Sequence, residues 1–155
     1  MSQQLKICLA ASAGGHLSQL TKLEEAWRGH DTFFVTTGEM VTRDLADRYH
    51  ARVYTVGESN HTQPFRVMRT LVRCMVILLR ERADVVVSTG AAHGCICSLI
   101  CKLMRGRIVW VDSIANVERL SLSGRIVRPI ADLCITQWPR LSEKDPLTEY
   151  HGQII

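Results

Sequence analysis

The sequence lacks an apolar stretch long enough to cross a lipid bilayer. A membrane-spanning helix needs about 20 predominantly apolar residues, whereas the longest uninterrupted apolar run, Cys74–Leu79, lies between two arginines. A secretory signal is not indicated either, because the first apolar run is short and Lys6 is the only basic residue before it. Any contact with a membrane is therefore predicted to be at its surface.

The chain also lacks both common glycine-rich nucleotide motifs, the dinucleotide fingerprint G-x-G-x-x-G and the P-loop G-x-x-x-x-G-K-[ST]. It contains no internal repeat and no low-complexity segment. With 155 residues it is expected to form one domain, residues 1–155, since domains usually comprise roughly 100–200 residues. Two complete nucleotide-binding domains would not fit into this length.

Charge and cysteine usage restrict the class of protein further. The formal net charge of +4 at pH 7 is mild, so it permits an anionic partner without identifying one. Six cysteines are scattered through apolar segments, which is typical of reduced, buried thiols in a cytosolic protein rather than of a disulfide framework. They stand at positions 8, 74, 95, 97, 101 and 134.

Strand-like and helix-like patterns alternate along the chain. Strands are predicted over 5–11, 32–37, 52–56, 84–88, 107–111 and 133–136, with a possible last strand over 150–155. Helices are predicted over 16–27, 41–49, 64–82, 93–104 and 122–127, and a polar loop over 57–63. This alternation favours an α/β, Rossmann-like fold: a mainly parallel sheet with helices on both faces.

The first predicted strand leads into a loop of small residues. Ser12, Gly14 and Gly15 stand in this loop, and His16 opens the helix behind it. A strand, a tight loop and a helix place backbone N–H groups and the positive end of a helix dipole at the loop. Two adjacent glycines alone are a weak signal, because a tight turn needs glycine in any case. The pattern predicts a phosphate or sugar-phosphate site with a histidine beside it.

Two further predicted strands end in a similar way. Thr89 and Gly90 follow the strand over 84–88, and Asp112 follows the strand over 107–111. In an open α/β sheet, ligands bind at the carboxyl ends of the strands. The three loops are therefore expected to meet at one edge of the sheet, where small residues let a ligand approach the backbone closely.

His16 has two interpretations. A neutral imidazole can accept a proton from a hydroxyl group, and the positive end of a helix dipole disfavours the imidazolium form. The position therefore suits a general base. In the other interpretation, the histidine only caps the helix or binds the ligand, and the sequence leaves both open.

A metal site is disfavoured on geometric grounds. His93, Cys97 and Cys101 share one face of a predicted helix, but they span two turns, roughly 12 Å at 1.5 Å per residue. One tetrahedral ion with ligand distances of about 2.0–2.3 Å does not reach all three. These side chains are expected to pack the helix against the sheet instead, and no metal or cofactor is predicted.

The predicted helix over 64–82 has an uneven distribution of charge. Arg66, Arg69, Arg73 and Arg80 fall in a narrow sector at 100° per residue, and much of the remaining circumference is apolar. One interpretation is a core helix with a solvated basic face. The interpretation we favour is an interfacial helix whose arginines contact anionic lipid headgroups. Nucleic acid is not predicted as a partner, because no aromatic platform or reader motif accompanies the arginines.

Three segments carry a resemblance to a known family. They are Ala-Ser-Ala-Gly-Gly-His (11–16), the stretch 112–139 with its Leu-Ser-Leu-Ser-Gly and Gln-Trp-Pro motifs, and Tyr-His-Gly-Gln (150–153). They resemble subunit fourteen of the asparagine-linked glycosylation pathway and, more closely, the bacterial PssD-type proteins of exopolysaccharide and capsule synthesis. The resemblance extends over nearly the whole chain.

The resemblance implies the N-terminal half of a GT-B glycosyltransferase, supplied as a separate polypeptide. Such a half is expected to carry membrane docking and the acceptor side of the cleft, while a second protein binds the nucleotide-sugar donor. The pair would transfer a sugar from a UDP-sugar to a polyprenyl-pyrophosphate-linked sugar at the cytoplasmic face of the membrane. Eukaryotic members usually begin with a membrane anchor, so its absence here favours the bacterial kind and peripheral attachment.

The family motifs also imply roles for particular residues. Carried over by position, Gly14, Gly15 and His16 match the acceptor-side loop of the family. Asp112 stands where the family more often has glutamate. His16 and Asp112 are therefore the two candidates for the catalytic base that takes the proton from the attacking hydroxyl group.

Three functions are compatible with the sequence. The first is the acceptor-binding and membrane-docking subunit, active only with its donor-binding partner. The second is a non-catalytic recruiter of that partner. The third is a stand-alone enzyme that binds a nucleotide sugar, which is least favoured because a nucleotide fingerprint is missing. For the first two, an exposed apolar edge around Trp138, Ile154 and Ile155 is expected to contact the partner.

Overall fold

The structure is a computed structural model that describes residues 4–57 and 64–154. Within these residues, the strands are β1 (Lys6–Ala10), β2 (Asp31–Thr36), β3 (Arg52–Thr55), β4 (Val85–Ser88), β5 (Arg107–Val111), β6 (Leu133–Thr136) and β7 (Glu149–Tyr150). They form one sheet in the order β3-β2-β1-β4-β5-β6-β7, and every neighbouring pair is parallel. The predicted Rossmann-like fold class is confirmed.

Helices connect the strands. They are α1 (Gly15–Thr21), α2 (Met40–Tyr49), α3 (Pro64–Glu81), α4 (Ala92–Leu103), α5 (Leu122–Val127) and α6 (Pro139–Lys144). Parallel strands are joined by right-handed crossovers, and the strand order changes direction between β1 and β4. Helices α1 and α2 therefore lie on one face of the sheet and α3 to α6 on the other. None of the helices in the described residues is long and apolar enough to span a membrane.

The strands supply two cores because successive side chains of a strand point to opposite faces. Cys8 of β1 packs with Cys97 of α4 in the core under α3 and α4. Its neighbour Leu9 packs with Leu20 of α1 on the other face. All six cysteines lie in the described part of the chain, where each is buried and unpaired. The expectation of buried cysteines outside a disulfide framework is confirmed for these residues.

One part of the sheet is not covered by a helix of the described residues. Helices α1 and α2 pack over one half of their face, and over β4, β5 and β6 the same face stays open. We call this space the sheet groove. It has a volume of about 870 Å³ and lies between Trp27 and the C-terminal segment 151–154. Its floor is formed by Val85, Val87, Val109, Val111, Leu133 and Ile135.

Helix α1 is shorter than predicted. It ends at Thr21, and the expected continuation to residue 27 is a 3₁₀ turn over Glu24–Ala26. The N–H group of Leu23 donates to the carbonyl of Leu20, three residues back, so the α-helical ladder stops there.

The C-terminal part also differs from the prediction. The possible strand over 150–155 is a strand of two residues, Glu149–Tyr150, and helix α6 is missing from the prediction. Pro139 suits the first turn of this helix, and Leu141 is its buried residue. Residues 58–63 of the predicted polar loop, and Ile155, lie outside the described residues.

Ion pairs close the amino-terminal edge of the sheet. The buried carboxylate of Glu81 lies 3.1 Å from Nε of Arg52 and 3.6 Å from Nζ of Lys6. It also accepts a hydrogen bond from the Tyr54 hydroxyl, which raises the pKa of Tyr54. Asp31 lies 2.9 Å from Nη2 of Arg52. This amino-edge cluster ties the end of α3 to the first residues of β1, β2 and β3.

Candidate functional site

The loops after β1, β4 and β5 emerge side by side at the carboxyl-terminal edge of the sheet. In the strand register, Ala10 of β1 pairs with Ser88 of β4, and Ser88 pairs with Trp110 of β5. The loop residues that follow these pairs therefore lie next to one another. The structure brings the three predicted loops together, as the sequence pattern indicates.

His16 is half-buried at this edge, and its imidazole is held in one orientation. Nδ1 lies 2.9 Å from the carbonyl oxygen of Thr89. In return, the Thr89 hydroxyl donates a hydrogen bond of 2.6 Å to the carbonyl oxygen of His16. Because a carbonyl oxygen only accepts hydrogen bonds, we assign the proton of the neutral ring to Nδ1. Nε2 then has the free lone pair that a general base requires.

The glycines of the two loops have different roles. Gly90 has a φ of +136°, and a Cβ added there would lie 2.6 Å from Cε1 of His16, so only glycine fits under the ring. Gly14 has a φ of +106° and Gly15 begins α1, yet apart from the adjoining residues and the backbone of α1 itself no described atom lies within 4 Å of a Cβ built at either position. One side of the imidazole is therefore packed, while the glycine loop is bordered by open space.

Ser12 closes the glycine loop through its backbone. The carbonyl of half-buried Ser12 accepts a hydrogen bond of 3.2 Å from the N–H group of Leu17. The next residue, Ala13, donates its N–H group to the hydroxyl of Thr37, at 3.2 Å. The loop after β1 is thus attached both to α1 and to the end of β2.

Helix α4 begins at the same edge. Its N-cap, Ala91, has a φ of +70° and makes no side-chain hydrogen bond to the helix. A non-glycine residue in this conformation is strained, and such strain is concentrated at functional sites. The first N–H groups of an α-helix have no partner within the helix and carry the positive end of its dipole. The edge next to His16 is therefore suited to an anionic ligand.

His93, in the first turn of α4, is only 2% exposed. Burial, reinforced by the nearby His16, lowers the pKa of His93 to about 4, so the ring is neutral at pH 7. Its Nε2 has no hydrogen-bond partner among the described residues. Cys97 and Cys101 pack in the core, as expected for this helix face. Among the described residues, no three His, Cys, Asp or Glu side chains form a group suited to a metal ion.

Asp112, the second candidate base, has an environment that differs from the expected one. Its side chain is 1% exposed. Oδ1 accepts hydrogen bonds from Nε1 of Trp110 and the hydroxyl of Ser121, at 3.1 and 2.6 Å. Oδ2 accepts from Nδ2 of Asn116 and the N–H group of Ser121, at 3.0 and 2.9 Å. With each oxygen accepting two bonds, this carboxylate organises the loop 113–121 and is not placed to take a proton from a substrate.

Gln137 joins three parts of the molecule and was not among the predicted site residues. Its fully buried amide donates from Nε2 to Oε1 of Gln19 on α1 and to the carbonyl of Asp112, at 2.6 and 3.0 Å. Its Oε1 accepts a 2.8 Å hydrogen bond from the N–H group of Ile154. The Gln-Trp-Pro motif marks this glutamine in the sequence, but partners that are 118 and 25 residues away are not visible there.

Helix α3 presents both charged and apolar side chains to solvent. The four arginines that were predicted to dock at a membrane are exposed, and Nη2 of Arg69 lies 3.4 Å from a Cβ built on Gly57. Beside the arginine sector is a stripe of exposed apolar side chains. These are Phe65, Met68, Val72, Met75, Val76 and Leu79. We call the stripe and the arginines together the α3 face; a core helix with a merely solvated basic face does not account for its apolar part.

The residues predicted as an apolar partner edge have different environments in the structure. Trp138 is half-buried, packs against the core between β5, β6 and α5, and donates from Nε1 to the carbonyl of Ile114 at 2.8 Å. It therefore does not form an exposed edge, because its ring completes the core and its polar atom fixes a loop. Ile154 lies instead at the border of the sheet groove. Ile155 is outside the described residues.

The strand order and the edge site define a Rossmann-like domain of the GT-B type. Among solved structures, MurG from Acinetobacter baumannii has a TM-score of 0.72 and 13% identity, over 88% of this chain and 43% of that chain. UDP-N-acetylglucosamine 2-epimerase from Rickettsia bellii has a TM-score of 0.70 and 17% identity, over 97% and 45%. At these identities the likeness shows the fold, and this chain spans less than half of either structure.

The chain belongs to the family described as "Oligosaccharide biosynthesis protein Alg14 like", whose sequence model matches residues 8–154. Two curated relatives carry the name "UDP-N-acetylglucosamine transferase subunit ALG14". The one from Yarrowia lipolytica is 33% identical over 113 residues, which is 67% of this chain and 51% of the relative. The one from Homo sapiens is 28% identical over 182 residues, covering 99% and 84%. The resemblance to subunit fourteen of the asparagine-linked glycosylation pathway is confirmed, and the closer likeness to the PssD-type proteins stays a prediction.

Proposed function

We propose that this chain is the acceptor-binding and membrane-docking subunit of a two-component glycosyltransferase. A separate donor-binding subunit supplies the nucleotide sugar, and the pair extends a polyprenyl-pyrophosphate-linked sugar at the cytoplasmic face of a membrane. The names of the curated relatives make UDP-N-acetylglucosamine the first donor to test. The observation that carries the proposal is the oriented imidazole of His16 beside an open glycine loop, at the sheet edge where the exposed helix α3 begins.

In the proposed reaction, His16 is the general base. A hydroxyl group of the acceptor sugar attacks the anomeric carbon of the donor, and its proton moves to Nε2 of His16. The new C–O bond forms as the bond from the anomeric carbon to the β-phosphate oxygen breaks, and the nucleoside diphosphate leaves with that electron pair. Displacement in one step inverts the configuration at the anomeric carbon. The Thr89 carbonyl, which holds Nδ1–H, stabilises the positive charge that the ring acquires.

The acceptor pyrophosphate is proposed to lie against the two small-residue loops. Gly14 and Gly15 leave the necessary space beside the loop that starts at Ser12. Thr89 and Gly90 lead into the uncapped start of α4, whose N–H groups favour an anion. Asp112 acts on this site indirectly, as a positioning residue that holds the loop 113–121.

The α3 face is proposed to dock on anionic lipid. In a parallel sheet the crossover helices run antiparallel to the strands, so α3 starts at the edge that carries His16 and ends at the opposite edge. Phe65 at this start is 90% exposed. An apolar stripe flanked by arginines suits the boundary between acyl chains and anionic headgroups. A lipid-linked acceptor could then keep its polyprenyl chain in the bilayer while its sugar reaches the cleft.

Membrane docking is tested by co-sedimentation with vesicles of phosphatidylcholine and phosphatidylglycerol. Replacing Arg69 and Arg73 by Gln should weaken binding about 30-fold, since each arginine near an anionic surface contributes about 1 kcal/mol. The matched control replaces Arg43 on α2 and Arg140 on α6 by Gln. Both arginines are exposed, so the control removes the same charge at other sites. Equal losses in both pairs would contradict the proposed face, as would equal binding to vesicles of phosphatidylcholine alone.

The sheet groove is proposed to receive an amphipathic helix of the donor-binding subunit. Three strands about 4.8 Å apart and the walls on either side leave room for one helix, which is about 10 Å wide. Both faces of a parallel sheet are usually covered by helices, and the floor of this groove is apolar throughout. Val109→Asn in the floor should weaken capture of the donor-binding subunit at least tenfold. Leu147→Asn, an exposed apolar residue outside the groove, is the control.

The proposed function as a whole is tested by a transfer assay. Membranes with a lipid-linked acceptor receive radiolabelled UDP-N-acetylglucosamine together with this chain, the donor-binding subunit, or both. Activity only with both proteins is the expected result. Activity of this chain alone would overturn the division of roles and favour a stand-alone enzyme. Full activity of the mixture with His16→Ala would leave this chain as a non-catalytic recruiter. Acceptors from lipid-linked oligosaccharide and from exopolysaccharide or capsule synthesis are compared in the same assay.

A further inference from the structure

Gln137 lies where the border of the sheet groove meets the functional edge. It is itself part of the groove lining, as are the four residues 151–154 of the C-terminal segment. Its side chain is fully buried, and each of its two polar atoms is hydrogen-bonded to another segment. A buried amide of this kind holds its partners in place, because a broken bond would leave a buried polar atom unsatisfied.

The three bonds of Gln137 form a connected path. The N–H group of Ile154 donates to Oε1 of Gln137, and Nε2 of the same amide donates to Oε1 of Gln19. Gln19 is on α1, one turn after His16, and its Oε1 also accepts a 3.4 Å hydrogen bond from the N–H group of Ile114. Since the amide of Gln137 is planar, a rotation that loses the Ile154 bond also displaces Nε2 from Gln19.

We infer that Gln137 is a positioning residue that couples the C-terminal segment 151–154 to the helix that carries His16. The inference rests on the proposed function in one respect: it takes the sheet groove as the binding site of the donor-binding subunit. A partner that contacts the C-terminal segment would then fix α1, and with it the imidazole, through this one amide. The acceptor site is thereby aligned when the donor-binding subunit is seated.

The coupling is measured on the isolated chain by hydrogen exchange of the α1 amides, so it does not depend on transfer activity. Ile154→Pro removes the N–H donor and should speed exchange of α1 about tenfold. Gln137→Met should do at least the same. The combination should be no faster than Gln137→Met alone, because the C-terminal segment acts through Gln137. Ser142→Ala, which loses a hydrogen bond to Pro139 in nearby α6, should leave α1 unchanged.

Two results would overturn the inference: unchanged α1 exchange in Ile154→Pro, or additive effects in the double variant. Gln19→Leu is the control that distinguishes the coupling from a general loosening of the fold. It removes the acceptor on α1, so Ile154→Pro should have no further effect in this background. The unfolding transition of each variant is recorded to confirm that it folds. Inactivity of the wild-type pair in the transfer assay would instead refute the proposed function and would leave this coupling measurement unaffected.

Discussion

The two edges of the sheet differ in how their polar groups are used. At the amino-terminal edge, Glu81 is paired with Lys6, Arg52 and Tyr54, so its charge is compensated within the fold. At the carboxyl-terminal edge, Nδ1 of His16 bonds to the Thr89 carbonyl, and Nε2 has no hydrogen-bond partner within residues 4–57 and 64–154. The first arrangement serves stability, and the second is the one that we propose to serve chemistry. Variants at the two edges should therefore change different measured quantities.

The largest effect is expected for His16→Ala. Loss of a general base typically lowers the rate by about 100- to 10,000-fold. The free energy of unfolding should change by less than about 0.5 kcal/mol more than in the control, since the half-buried ring makes a single hydrogen bond to the part of the chain that the structure describes. The rate is measured with the donor-binding subunit present, and stability by urea unfolding. His50→Asn, at an exposed left-handed position, is the control. If His16→Ala lost stability as well as rate, the result would indicate a structural role for His16.

The next effect concerns His93 and the pH. Its pKa is about 4 in the fold and 6.5 ordinarily, so the unfolded chain binds more protons between these values. Stability should therefore fall as the pH decreases from about 6.5 to about 4, by roughly 3 kcal/mol at 1.36 kcal/mol per pH unit. His93→Gln should remove this part of the pH dependence. Urea unfolding at pH 7 and pH 4.5 measures it, and an unchanged pH slope in the variant would contradict the assignment.

A smaller effect is expected at the amino-terminal edge. Glu81→Gln leaves Lys6 and Arg52 without their buried partner and should lower the free energy of unfolding by about 1–2 kcal/mol. Under conditions in which the variant is fully folded, its transfer activity should stay within twofold of wild type. Glu25→Gln, at an exposed ion pair with Arg28, should change stability by at most about 0.5 kcal/mol. A reduced rate in Glu81→Gln would show that the two edges are not independent.

The smallest effect compares two neighbouring glycines. Gly15→Ala adds a methyl group in open space at the start of α1, so stability should change by less than about 0.5 kcal/mol. If the acceptor occupies this space, its KM should rise severalfold with little change in kcat. Gly14→Ala should instead lower stability by about 1 kcal/mol, because its φ is +106°. Equal KM values in wild type and Gly15→Ala would show that the acceptor does not occupy the space beside the glycine loop.

Periodicity and loop composition were sufficient to predict most of the fold. The strands over 107–111 and 133–136 and the helix over 122–127 are predicted to the residue. The three loops could be placed together because parallel strands send their carboxyl ends to one edge. Helix α6 was not predicted because it has six residues and one buried residue, Leu141. A helix this short does not repeat an apolar position often enough to show helical periodicity.

The candidate site was predictable only in part. The position of Asp112 follows from the strand pattern, but its four hydrogen bonds depend on backbone and side-chain donors up to nine residues away that the fold brings close. The valines of β4 indicate a strand that is apolar on both faces. In the described residues, Val86 is buried, whereas Val85 and Val87 line the sheet groove. Hydropathy alone does not reveal that the helices of the described residues leave one face of this strand open.

The central place of β1 in the sheet has a consequence for biosynthesis. Strand β1 can pair with β2 soon after both are synthesised, but its other edge waits for β4, about 78 residues later. Loop closure over such a distance is slow compared with local helix formation. The bond between Gln19 and Gln137 closes later still, across 118 residues. The nascent chain therefore exposes an unpaired β1 edge until residue 88 has emerged.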